Sequence, residues 1–453
     1  MVDTSPDFVG DALCLPIKDH SVEIIFANQV IEHVTNPHHN QKMKLLLIST
    51  LYPPYVIGGA EKAAAQLAEA LVRRGHEVVV ASLYPGSSEV VENRNGVRVY
   101  RLPLDNFYWP FDRKKKPNVF YRFAWHIREM WNPVAARRIG KILDTEMPDV
   151  VNTHNVCGFS VAAWREVNRR KVRLVHTVHD YYLMCPRCTL FRKGRNCEKR
   201  CLRCKALTVK RRDLSRLPDV VVSVSQHALD EHIRRHYFED LPATVIYNIQ
   251  GTDKLLLPRT QSGAQLSDEL IFGFIGRVEE EKGIETLLTA TKQLHPSNWK
   301  LKIAGKGFDD YVKTMANRFP DPRIEWLGFT DAGKFYSSVD VVVLPSLWAE
   351  PLPYVCVESL HAGKGLICAS SGGIPEIAKL SRAVEFFPAG NADALAQKMT
   401  LALTSPQRWR EGKVPDTSKL SAFQEEYIVE RYLREYAPTK VQVSIDNAQL
   451  QRR

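Results

Sequence analysis

The sequence predicts an α/β protein in which two doubly wound, Rossmann-like domains face a central cleft. Three observations carry that expectation. Short, almost wholly apolar runs at 44–50 (KLLLIST), 219–225 (DVVVSVS) and 339–346 (VDVVVLPS) have the length and β-branched content of strands buried on both faces of a parallel sheet. Such runs alternate with stretches of helical periodicity, the pattern of repeated βα units. A chain of 453 residues also exceeds what one hydrophobic core usually holds, so two domains of roughly 200 residues each are the prior.

Residues 43–250 read as the first domain. After the strand at 44–50, Gly58-Gly59 opens a helix over 60–74 that ends at Gly75. Glycines at a helix start let backbone N–H groups approach a phosphate or an acceptor hydroxyl closely. Strands follow at 76–83 and 96–102, helical segments at 120–143, and a strand through 148–155 that carries His154 near its end. The strand at 173–178 runs into His179-Asp180-Tyr181-Tyr182, and 219–225 and 243–247 complete the set. Residues 252–268 are polar and proline-containing, a connector. Residues 251–420 form the second domain, with strands near Ile271, Leu301, Ile324, Val341 and Leu366. Residues 421–436 form a terminal helix, and 437–453 a tail.

Composition is 44% hydrophobic and 25% charged, ordinary for a globular protein. No apolar run reaches the roughly 18 residues of a membrane span, and the opening MVDTSPDF lacks a signal-peptide pattern, so a cytoplasmic location is expected. Nine cysteines fit a reducing compartment better than a disulfide scaffold. The net charge of +11 is concentrated: residues 187–216 hold twelve Lys or Arg against Glu198 and Asp213. A second cluster, 113–116, is interleaved with Phe107, Tyr108, Trp109, Phe111, Phe120, Tyr121 and Trp125. Basic and aromatic residues together suit the anionic inner face of a membrane or a phosphorylated acceptor; the plain alternative is a solvated basic face. No nucleic-acid partner is expected. The insertion at about 185–216 carries Cys185, Cys188, Cys197, Cys201 and Cys204. Cys197-x3-Cys201-x2-Cys204, with Cys185 or Cys188 as a fourth ligand, is compatible with tetrahedral zinc and also with reduced thiols in a basic insertion.

The chemistry concentrates at 348–358, WAEPLPYVCVE. Glu350 lies just beyond the end of an apolar strand, where open parallel sheets bind ligands. Glu358 falls in the early turns of a helix over 355–362. Paired carboxylates suit a polyhydroxylated ligand, because they accept charge-assisted hydrogen bonds from vicinal hydroxyls. The plain alternative is one solvated loop glutamate beside a surface helix glutamate. A further strand at 366–369 leads to Gly372-Gly373, a candidate anion cradle before a helix.

Four motifs in order resemble those of glycosyltransferase family 4, the retaining GT-B enzymes that use nucleotide-diphosphate sugars. Gly276-Arg277 to Lys282-Gly283 resembles the family's G-R-x4-K-G element, and 303–307 (IAGKG) its next glycine loop. Residues 326–329 (WLGF) resemble its base-flanking turn, and Glu350 to Glu358 its E-x7-E signature. The resemblance implies that Glu358 holds the nucleotide ribose and Glu350 the hydroxyls of the transferred sugar. It implies that Arg277 and Lys282 neutralise the diphosphate, and that His154 reaches the transferred sugar. Gly58, Gly59, Gly276, Gly305, Gly307, Leu352, Gly372 and Gly373 would line the donor. No Asp-x-Asp occurs in the sequence, so no divalent metal and no other cofactor is expected. Two departures stand out: Pro351-Leu352-Pro353-Tyr354 replaces a glycine-containing turn, and Asn248-Ile249-Gln250-Gly251 an N-G-V-D hinge.

The activity so implied is retaining transfer from a UDP- or GDP-sugar to a glycan or lipid-linked acceptor in envelope polysaccharide synthesis. The rival is a non-catalytic binding protein on the same scaffold, which would not require Arg277, Lys282, Glu350 and Glu358 together. Residues 11–34 resemble the middle of a class I S-adenosylmethionine methyltransferase, without its glycine-rich cofactor loop. We read 1–42 as a remnant or tail without methylation activity, and Met43 as the start of the functional unit.

Overall fold

The computed structural model describes residues 41–111, 117–250, 269–295, 298–381, 383–410 and 420–437. The methyltransferase-like stretch, the basic run 113–116, the connector 252–268 and the tail beyond 437 lie outside the described residues.

The first lobe contains β1 (Lys44–Ser49), β2 (Glu77–Tyr84), β3 (Val90–Arg94), β4 (Val97–Pro103), β5 (Val150–Asn155), β6 (Arg173–Val178), the short β7 (Phe191–Arg192) and β8 (Arg195–Asn196), β9 (Val220–Ser223) and β10 (Ala243–Val245). Eight of these form one sheet in the order β10-β9-β6-β5-β1-β2-β4-β3. Every pairing is parallel except β3 with β4. The antiparallel edge strand was not legible in the sequence, because its valines, Val90 and Val91, are exposed and the rest of VVENR is polar. β7 and β8 pair as a separate hairpin inside the cysteine-rich insertion.

The helical segments expected over 120–143 are two helices, Val119–Met130 and Pro133–Glu146. Asn132 breaks the run: its side chain accepts from the Ala135 amide at 3.2 Å, and Pro133 occupies the first helical position, where its missing N–H costs nothing.

The second lobe holds β11 (Leu270–Ile275), β12 (Trp299–Ala304), β13 (Ile324–Gly328), β14 (Val341–Leu344), β15 (Gly365–Ala369) and β16 (Val384–Phe387). All are parallel, in the order β13-β12-β11-β14-β15-β16. In sequence terms this is 3-2-1-4-5-6, the dinucleotide-binding order, and it reverses between β11 and β14. The first sheet reverses likewise where β1 sits between β2 and β5. The loops leaving β1, β5, β11 and β14 are therefore the ones that flank ligand-binding crevices.

The helix Glu425–Tyr436 packs on the first lobe, with Ile428, Val429, Tyr432, Leu433 and Tyr436 buried in one apolar cluster with Leu45, Leu47, Val150 and Val175. Its register is fixed by polar contacts: Asn152 Nδ2 donates to the Tyr436 hydroxyl at 2.7 Å and Arg73 pairs with Glu425 at 2.5 Å. No described helix is long and apolar enough to cross a membrane.

Candidate active site

A cavity of about 790 Å³ opens between the lobes. Its second-lobe wall is made by the loops after β11 and β14. Gly276 leaves β11 with φ +153° and donates its amide to Ala304 O at 3.0 Å, which turns Arg277 toward the cavity. Gly283, at φ +70°, lies so close to Pro345 that a Cβ would collide with the Pro345 carbonyl oxygen. That contact brings Lys282 beside the loop after β14. Lys282 Nζ lies 2.8 Å from Glu350 Oε1 and 5.5 Å from the centre of the Trp348 ring. The Ser346 hydroxyl donates to the same Glu350 oxygen. Arg277 is paired twice within its own loop, with Glu279 at 2.6 Å and Glu281 at 2.8 Å.

The remaining second-lobe residues support this wall from behind. Neither Gly305 nor Gly307 lines the cavity: the Gly305 amide donates to Gly328 O at 2.7 Å, and a Cβ on either residue would strike the backbone carbonyl of Gly276 or Val278. Gly372 and Gly373 pack on the Glu350 backbone, where Gly373 N donates to Glu350 O at 2.7 Å. The expected open anion cradle is thus a brace for Glu350, its Gly373 amide already used. Glu358 lies one turn back from the cavity, where Tyr336 donates to it at 2.8 Å and burial raises its pKa. Leu352 lines the cavity.

The first-lobe wall opens with Gly58 and Gly59. The Gly58 amide donates to Glu61 Oε2 at 2.8 Å, so this helix start is capped by a carboxylate of its own first turn. Across the cleft, the Tyr354 hydroxyl donates to Gly59 O at 3.2 Å. His154 was expected at the cavity; instead it is 2% exposed and lies behind His179. Its Nδ1 meets His179 Nε2 at 2.9 Å, the rings stack at 24°, and His179 is the one that lines the cavity. The strand pleat explains this, because β5 turns successive side chains to opposite faces and Asn155, the next residue, lines the cavity. Burial pushes His154 well below the usual imidazole range and His179 to about 3, so both rings are neutral near pH 7.

Asp180 shares that wall. Its oxygens accept from Tyr182 N and Asn155 Nδ2, each at 2.7 Å, and burial raises its pKa to about 7. Behind it, buried Glu129 accepts from the Gly158 amide at 2.9 Å and from the Tyr182 hydroxyl, and burial pushes it to about 7 too. Arg211 is buried 3.8 Å from the Tyr182 ring centre, and its Nη1 donates to Tyr182 O at 2.6 Å. Sequence reasoning did not single out His179, Asp180, Asn155 or Arg187 as site residues, although all line the cavity. The usable signal was positional: His179-Asp180 directly follow β6 as Glu350 follows β14.

Two parallel sheets with facing crevices and a helix that crosses back define the GT-B class of fold. Comparison with known proteins agrees. The model of glycosyl transferases group 1 matches residues 260–413, and that of the glycosyl transferase 4-like domain matches residues 58–248. An uncharacterized 42.6 kDa protein in the cps region of Klebsiella pneumoniae is 30% identical over 395 residues, spanning 87% of this chain and 100% of that protein. An uncharacterized glycosyltransferase of Methanocaldococcus jannaschii is 30% identical over 352 residues, 74% of this chain and 83% of that protein. Among solved structures, sucrose-phosphate synthase from Thermosynechococcus elongatus matches with a TM-score of 0.68 at 20% identity, covering 87% of this chain and 98% of the other. Anabaena HepE in complex with UDP and glucose matches at 0.63 and 19%, covering 87% and 99%. This chain belongs to the glycosyltransferases.

Proposed function

We propose that the chain is a retaining, family 4 glycosyltransferase that moves a sugar from a UDP- or GDP-sugar to a glycan or lipid-linked acceptor in envelope polysaccharide synthesis. The observation that carries this reading is the Lys282–Glu350 pair, 2.8 Å long, on the cavity wall beside the switch point of a dinucleotide-type sheet. Donor binding exchanges partners. The diphosphate takes Lys282 and Arg277, and the released Glu350 carboxylate accepts from hydroxyls of the transferred sugar. Glu358 holds the ribose, shifting its bond from Tyr336. Fixed cations at the diphosphate stabilise the charge that develops as the sugar departs.

Retention rests on the resemblance of the second-lobe motifs. Both Asp180 oxygens already accept hydrogen bonds, from Asn155 and Tyr182, which disfavours a covalent glycosyl–Asp180 intermediate. Front-face transfer then has the departing phosphate accept the acceptor's proton while His179 orients a sugar hydroxyl. The K. pneumoniae relative from a cps region, and Arg122 and Arg187 on the cavity wall, favour an anionic envelope acceptor. Phe120, Tyr121 and Phe123, exposed on the helix Val119–Met130, favour membrane contact.

Thermal stabilisation by a panel of nucleotide sugars, followed by proton NMR of the product anomer, tests the reading. A matched donor that stabilises the chain and gives product of unchanged anomeric configuration is expected. An inverted anomer removes the retaining mechanism, and stabilisation without transfer favours a binding protein.

A further inference from the structure

The insertion after β6 folds without an apolar core of its own. Between Arg192 and Ala206 every side chain is exposed except Cys197, Arg200, Cys201 and Cys204. Arg200 is accounted for, since it donates to Thr208 Oγ1 at 3.0 Å and to the Tyr237 hydroxyl at 2.7 Å. The half-buried remainder is three thiols, and one of them meets a fourth: Cys204 Sγ lies 3.9 Å from Cys185 Sγ. Tetrahedral zinc with Zn–S bonds of about 2.3 Å sets its sulfurs about 3.8 Å apart. A backbone amide already reaches one of these sulfurs: Arg187 N donates to Cys185 Sγ at 3.4 Å. Amide donors of this kind stabilise thiolate ligands. Cys188 does not share the cluster: it lines the cavity between the lobes.

We propose that Cys185, Cys197, Cys201 and Cys204 bind one structural zinc ion, which fixes the insertion so that Asn196 clasps the second lobe. Among the described residues no three His, Cys, Asp or Glu side chains are placed to hold a metal ion, so zinc binding requires Cys197 and Cys201 to move onto the Cys185–Cys204 pair. The four thiols release four protons, giving a tetrathiolate zinc centre of charge −2. Twelve Lys or Arg against two acids in 187–216 supply the compensating field. The clasp lies on the hairpin beside the cluster: Asn196 Nδ2 donates to Leu347 O at 2.8 Å, and Ala349 N donates to Asn196 Oδ1 at 2.8 Å. Those carbonyl and amide groups belong to the loop that carries Glu350.

Metal analysis of the purified full chain by inductively coupled plasma mass spectrometry tests this, without reference to activity. About one zinc per chain is expected, falling about tenfold or more in Cys197→Ser and Cys204→Ser and unchanged in Cys188→Ser and Asn196→Ala. Should a ligand variant fail to fold, cobalt substitution in the unmodified chain reports the same site through the absorption of tetrahedral cobalt thiolate. A zinc-free chain with four freely titrating thiols overturns the proposal, as does a Cys185–Cys204 disulfide or an iron–sulfur chromophore. Loss of zinc from Cys188→Ser overturns the choice of ligands.

Discussion

The two walls of the cleft are built by different means. The second-lobe wall is shaped by backbone: Gly283, Gly305, Gly307 and Gly373 each sit where a Cβ would meet a carbonyl, and that close packing aims three ionised side chains, Arg277, Lys282 and Glu350. The first-lobe wall is shaped by polar side chains, half-buried His179 and Asp180 backed by buried His154, Glu129, Tyr182 and Arg211. Backbone geometry is written locally and leaves motifs. A polar network is completed only when distant segments meet, so its local marks, His154 and His179-Asp180-Tyr181-Tyr182, do not show which side chains reach the cleft.

The contrast is also electrostatic. In the present geometry the groups proposed to bind the donor phosphates are held by the protein's own carboxylates: Gly58 N by Glu61, Arg277 by Glu279 and Glu281, Lys282 by Glu350. On the proposed function, donor binding replaces existing partners, and only groups with larger differential affinity for the transition state contribute to rate. The His154–His179 pair, in contrast, is neutral and changes no charge on binding.

The sharpest way to break the comparison is to remove the second-lobe cation. Lys282→Ala is expected to lower kcat/KM about 10²–10³-fold, and His179→Ala only about tenfold, measured as nucleotide release. Equal losses would erase the distinction between the walls. Next in size is backbone: Gly305→Ala, which forces a Cβ onto the Gly276 carbonyl, should cost about 3 kcal/mol in denaturant unfolding. Gly75→Ala, at φ +87° with open space around it, should cost only about 1–2 kcal/mol.

A pH series separates the walls further. Asp180 and Glu129 have folded pKa values raised to about 7, so they bind protons more tightly folded than unfolded. Their stabilisation is fully present below about pH 4 and is lost as pH rises through 7, by up to about 1.4 kcal/mol per pH unit for each group. His154 and His179 act in the opposite sense: their depressed folded pKa values remove stability as pH falls below about 6.5. Asp180→Asn should flatten the loss of unfolding free energy between pH 5 and 7, and an unchanged slope would contradict the assigned burial. The smallest effect is expected from Glu279→Gln, which frees one side of Arg277 and should lower the donor KM about twofold to threefold.

The doubly wound sheets and most strand positions were legible because parallel strands buried on both faces are continuous apolar runs. β3 was not, since it is an exposed antiparallel edge with two apolar residues. Arg277, Lys282, Glu350 and Leu352 could be placed at the cavity because each belongs to a local motif in the loop that leaves β11 or β14. The glycines at 305, 307, 372 and 373 could be picked out but not assigned: whether a glycine faces a ligand or a neighbouring carbonyl depends on loops that meet only in three dimensions. His154 and His179 illustrate the same limit. His154 lies near the end of β5 and His179 directly follows β6, and only the pleat of β5 and the stacking of the two rings decide which one reaches the cleft.

The most direct measurement is the rate of nucleotide release from the best-matched UDP- or GDP-sugar by the purified full chain, compared with Lys282→Ala, in buffer without added divalent ion. The account predicts turnover by the unmodified chain and a loss of about 10²–10³-fold in the variant, with the two unfolding at similar denaturant concentrations. Equal turnover by both proteins would contradict the claim that Lys282 passes from Glu350 to the donor diphosphate.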